Sequence, residues 1–150
     1  HVPLIFAGPG IPGRGERIKN LAQTIDIYPT ILGRLGIDAP SGLSGNDLFI
    51  DSVPKSNEIY ADVFEYACLR TLDLKLVANI IEKRLELYDI QEDPGETHNL
   101  APHEPELVEE CLFRLEEKIR EVEKKAPPDV RERGLTEELI KRLKALGYMR

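Results

Sequence analysis

The sequence predicts an α/β chain that passes into an α+β C-terminal part, and three observations carry that class. Residues 2–8 are apolar without alternation, as in a strand buried on both faces. Short strand-like stretches separated by turn residues fill residues 58–88. Residues 105–125 repeat apolar side chains at helical spacing. With 150 residues and 41% apolar content, the chain is long enough to bury a core.

Taken in order, Val2-Pro3-Leu4-Ile5-Phe6-Ala7-Gly8 reads as a central strand, with Pro3 tolerable near its start. Such a strand needs sheet neighbours, and nothing precedes residue 1, so the reading expects a truncated chain. Gly8-Pro9-Gly10-Ile11-Pro12-Gly13 reads as a turn-forming loop. Thr24 or Asp26 can cap a helix running to about Leu35, with Ile27, Ile31, Leu32 and Leu35 at helical spacing and Pro29 in the first turn. Gly36 stops it. Residues 38–56 read as loop. The stretches Glu58–Phe64, Ala67–Leu72, Lys75–Ile81 and Arg84–Tyr88 suggest an antiparallel meander. Asp93-Pro94-Gly95-Glu96 reads as a tight turn in which Pro fixes φ and Gly accepts a positive φ.

From Pro105 to Lys125 one face holds Leu107, Val108, Cys111, Leu112, Leu115, Ile119 and Val122. The other face is charged, with Glu116–Arg120 and Glu121–Lys125 as i,i+4 pairs. Pro127-Pro128 implies an extended link, and a last amphipathic helix is expected from Thr136 to Gly147.

The net charge of −7 argues against nucleic acid, because phosphate binding needs a basic patch. No apolar run approaches the roughly 20 residues of a membrane helix, so no membrane partner is expected. Cys68 and Cys111 form no CxxC or Cys/His pattern. They read as two buried free thiols in a reducing compartment, which favours the cytoplasm.

The residues by themselves supply no complete site. His98 and His103 flank a polar loop without metal-ligand spacing, and read as solvated or capping side chains. Asp89, Glu92, Asp93 and Glu96 cluster, but lack the D-x-D-x-D-G spacing of a calcium loop. Gly8, Gly10 and Gly13 are not followed by Gly-Lys-Ser/Thr, so a phosphate loop is not expected. No serine sits in a G-x-S-x-G elbow.

Five segments, in order, resemble the C-terminal part of the sulfatases, members of the alkaline phosphatase superfamily. His1-Val2-Pro3-Leu4-Ile5-Phe6 with Gly8-Pro9-Gly10-Ile11 is similar to the family's "VPLI…GPG" strand and loop. Asp26, Pro29, Thr30, Leu32, Gly36, Ile37 and Pro40 follow its "D-x-x-P-T-x-L-x-x-x-G-I-x-x-P" helix. Gly42 to Leu48 resembles "G-x-x-G-x-S-L", with Asp47 where Ser is usual. Arg70, Lys75-Leu76-Val77, Glu86-Leu87-Tyr88-Asp89, Asp93-Pro94-Gly95-Glu96 and Asn99-Leu100-Ala101 resemble the "R…KLI…ELYDL…DPGE…NLA" block. Leu143 to Tyr148 is similar to a tail common in the family.

The resemblance implies that residues 1–50 end an alkaline-phosphatase-like α/β catalytic domain. Residues 51–126 would be a small antiparallel sheet with a packed helix, and residues 127–150 a helical tail. It implies a parent that hydrolyses sulfate esters with calcium and a formylglycine made in a C/S-x-P-S-R motif. That motif is absent from this sequence, so no catalytic residue, metal ligand or cofactor is expected within it. His1 alone would lie near the substrate pocket, lining it or, preferred, positioning the sheet edge. A parent acting on phosphate or phosphonate esters and a non-enzymatic interaction domain are the competing readings, and a homo-oligomer is compatible with all three.

Overall fold

The computed structural model describes residues 2–13, 15–43, 45–50, 58–63, 65–125, 141, 142 and 145. The chain forms two compact units, His1–Ser56 and Asn57–Arg150.

The second unit is built on a four-stranded antiparallel meander with strand order β1-β2-β3-β4. Its strands are β1 (Glu58–Val63), β2 (Tyr66–Thr71), β3 (Leu74–Asn79) and β4 (Arg84–Asp89). The register pairs Leu69 with Leu76 and Leu76 with Leu87, which sets three leucines in one cross-strand row. Alternation then puts Ala67, Leu69, Leu76, Ala78, Leu85 and Leu87 on one face, and all are buried. The α-helix Pro105–Lys125, called α2 below, covers that face with Val108, Cys111, Leu112, Leu115 and Ile119. This i, i+3, i+4 stripe is what makes the segment a packed helix rather than a solvated one. Val122, expected on the same face, is 47% exposed. Glu116 is buried beside the stripe and pairs with Arg120 one turn on. Arg114, on the flank of α2, reaches the carboxylate of Glu58 and ties the helix to β1.

Two turns of the meander, β2–β3 and β3–β4, are held by side-chain oxygens. Thr71 Oγ1 accepts the amides of Asp73 and Leu74 at 3.2 and 2.9 Å. Asn79 Oδ1 accepts those of Ile81 and Glu82 at 3.1 and 2.9 Å. These bonds close the chain sharply enough for each strand to return beside the last.

The first unit contains a 3-10 turn, Thr24–Asp26, leading directly into α1 (Ile27–Arg34). Gly36 follows with φ 67°, the left-handed conformation that ends a helix and suits glycine. The strand expected over residues 2–8 does not form: these residues lie outside any helix or strand, and Val2, Leu4 and Ile5 are exposed. A strand is a ladder of hydrogen bonds, and no described residue of the unit pairs with this segment. Phe6 is the exception in burial; its ring meets Phe49 edge-on at 5.5 Å between centroids.

The helix expected from Thr136 falls outside the described residues except at Lys141, Arg142 and Ala145, where the Ala145 amide donates to the Lys141 carbonyl at 3.1 Å. His1 also falls outside them. Among the described residues no helix is long and apolar enough to cross a membrane.

Truncating Leu87 or Leu112 to Ala should cost about 2–5 kcal/mol, because each is fully enclosed. Val122→Ala should change stability by no more than about 0.5 kcal/mol. Urea unfolding followed by far-UV circular dichroism measures both, and equal effects would contradict the packing described.

Candidate functional site

The motif residues Asp26, Thr30, Asp93 and Asn99 converge on main-chain amides. On the inward side of α1, beside the buried Pro29, the polar residues Asp26 (just before the helix), Thr30 and Arg34 lie at i, i+4 and i+8. Asp26 is 5% exposed, and its carboxylate accepts the amides of Gln23 at 2.8 Å and Asn46 at 2.9 Å. Thr30 is fully buried; its hydroxyl donates to the Asp26 carbonyl at 2.6 Å and accepts the Leu48 amide at 3.0 Å. Arg34 pairs with Asp47 at 3.0 Å and lies over the Phe49 ring at 5.3 Å. Asp47 uses its other oxygen to accept the Phe49 amide at 2.9 Å. Gly45 is required by close approach, since a Cβ there would run into the Ile25 carbonyl oxygen. The segment 45–49 is therefore stitched to α1 by four side chains and one missing one.

The opposite side of α1 is apolar and bare. Tyr28, Ile31 and Leu35 are 54%, 45% and 66% exposed, with Ile25 and Ile37 exposed at either end. Of the apolar positions expected on one face, Ile31 and Leu35 are thus exposed, while Ile27 and Leu32 are half-buried.

In the second unit, Asn99 covers the free edge of β4. Its Oδ1 accepts the Leu87 amide at 2.9 Å, its Nδ2 donates to the Leu85 carbonyl at 3.3 Å, and the Leu100 amide donates to the Leu87 carbonyl at 2.8 Å. One side chain and its neighbour thereby satisfy an edge that would otherwise template pairing with another chain.

The acidic turn is wired in the same way. Asp93 Oδ2 accepts the amides of Thr97 and His98 at 2.7 and 2.8 Å, and its Oδ1 accepts the Thr97 hydroxyl at 3.0 Å. Hydrogen bonding to the ionised form, led by the His98 amide, holds this carboxyl below the usual carboxylate range. Asp89 Oδ1 accepts the amides of Gln91 and Glu92 at 2.9 and 3.0 Å. The positive φ expected at Gly95 falls on Glu96 instead, at 55°, and Glu96 pairs with Lys75 on β3. Glutamate in that conformation is uncommon, and the ion pair accompanies it.

Asp89 and Asp93 are engaged with the backbone and Glu96 with Lys75, and among the described residues no group of three or more His, Cys, Asp or Glu is placed to hold a metal ion. His98 is exposed, its Nδ1 2.8 Å from the Thr97 hydroxyl. His103 is exposed, and its amide donates to the Leu100 carbonyl at 2.9 Å. Both cysteines are free, but only Cys111 is buried; Cys68 is half-buried on the open face of the sheet. Burial pushes both thiols up, so neither is a ready nucleophile.

A family profile described as "N-sulphoglucosamine sulphohydrolase, C-terminal" matches residues 1–125. The chain belongs to the sulfatase family. Human arylsulfatase K is 30% identical over 145 residues, covering 81% of this chain and 25% of that protein. The sulfatase YidJ of Escherichia coli is 32% identical over 111 residues, covering 67% of the chain and 22% of its own length. A solved structure of a 2-O GAG sulfatase superimposes with a TM-score of 0.66 at 25% identity, covering 78% of the chain and 29% of that sulfatase. The chain thus spans about a quarter of the length of the sulfatases it matches, and its fold is that of an α/β sulfatase's C-terminal part.

Thr30→Val should destabilise the first unit by about 1–3 kcal/mol, because the Leu48 amide is left without its acceptor, and Thr30→Ser should cost less. Thermal unfolding of the two variants compares them directly. A carboxyl depressed in the folded state stabilises the fold above its unfolded-state pKa, and that contribution is lost as pH falls through the folded-state pKa. For Asp93 the loss falls on the acid side of the usual carboxylate range. Protection of the Thr97 and His98 amides, relative to free peptide at the same pH, should therefore fall in acid, and Asp93→Asn should remove that pH dependence.

Proposed function

We propose that this chain is the C-terminal region of a sulfatase that hydrolyses sulfated saccharides, and that it serves as the scaffold on which the catalytic segment packs. The observation that carries the reading is the exposed apolar stripe of α1, opposite the side held by Asp26, Thr30 and Arg34. A helix fixed on one side by Asp26, Thr30 and Arg34 has no need of Tyr28, Ile31 and Leu35 for its own placement. An apolar stripe at helical spacing is what a helix buries. The occupant we assign is the catalytic α/β portion, which would lie within the three quarters of the relatives' length outside the matched region. Val2, Leu4 and Ile5 would join the same portion as a strand once sheet neighbours are supplied.

On this reading residues 1–50 close the catalytic domain, residues 51–126 form its antiparallel subdomain and residues 127–150 a helical tail. His1 would stand at the edge of the substrate pocket. The described carboxylates do not suit a calcium ion, and the sequence has no C/S-x-P-S-R motif. We assign calcium, formylglycine and the catalytic steps to the catalytic segment. The saccharide class is supported by the family's description and by the 2-O GAG sulfatase with the same fold.

The purified chain should show no turnover of an aryl sulfate, with or without calcium. Activity that follows the chain through purification would overturn the proposal. The isolated chain should also bind an apolar dye and self-associate. Ile31→Glu/Leu35→Glu should reduce dye binding several-fold with an unchanged circular dichroism spectrum. A monomeric wild-type chain without dye binding would show that the stripe is no docking surface.

A further inference from the structure

We draw no further inference here: the strongest candidate, the cross-strand row of Arg70, Lys75 and Tyr88 on the open face of the sheet, carries nothing because Lys75 is paired with Glu96, Arg70 donates to the Leu72 and Leu74 carbonyls, and nothing in the structure shows what covers that face.

Discussion

A main-chain amide that leaves a helix or strand must find an acceptor when water is excluded, and here the acceptors are side-chain oxygens at fixed places in the sequence. Asp26 takes two amides, one on each side of α1, so the loop at 45–49 cannot drift from the helix. Thr30 adds a third bond to the same loop. Asp93 and Asn99 repeat the device in the second unit, one closing a turn and the other closing a sheet edge. Where the bond is shielded from water, as at Thr30 and Asn99, losing the oxygen leaves a donor unsatisfied, which costs more than an average hydrogen bond contributes.

This constraint explains why Asp26, Thr30, Asp93 and Asn99, in segments that resemble sulfatases, are polar. Asp, Thr and Asn are the residue types that accept from nearby backbone with short side chains. The glycine at position 45 follows from the same closeness, because the loop approaches Ile25 too tightly for a Cβ. Family resemblance in this region therefore records how the backbone is held.

The second unit was largely legible in the sequence. The strands fall within a few residues of their expected limits, and α2 spans Pro105–Lys125 as its apolar stripe requires. Alternation and helical periodicity suffice there because both faces of the packing come from the same stretch of chain. Val122 was misread, since a stripe that fits the sheet for four turns can outrun it. The positive φ was placed on Gly95 because glycine is the residue of lowest cost; the Lys75–Glu96 pair, distant in sequence, goes with its position on Glu96. In the first unit, periodicity alone marked Ile31 and Leu35 as candidates for burial. It could not show that Asp26, Thr30 and Arg34 take the inward side, because that depends on amides some twenty residues away. The segment at residues 2–8 reads as a strand by composition, yet forms no ladder with any described residue, since composition records a preference and pairing needs a neighbour.

The central claim is that Asp26, Thr30, Asp93 and Asn99 hold backbone. Residue-resolved hydrogen exchange on the whole 150-residue chain at neutral pH tests it most directly. The amides of Asn46, Leu48, Leu87 and Thr97 should exchange markedly more slowly than unstructured peptide does, as protected as amides within the strands and helices. Exchange of these four at free-peptide rates, with the strands and helices still protected, would contradict the account.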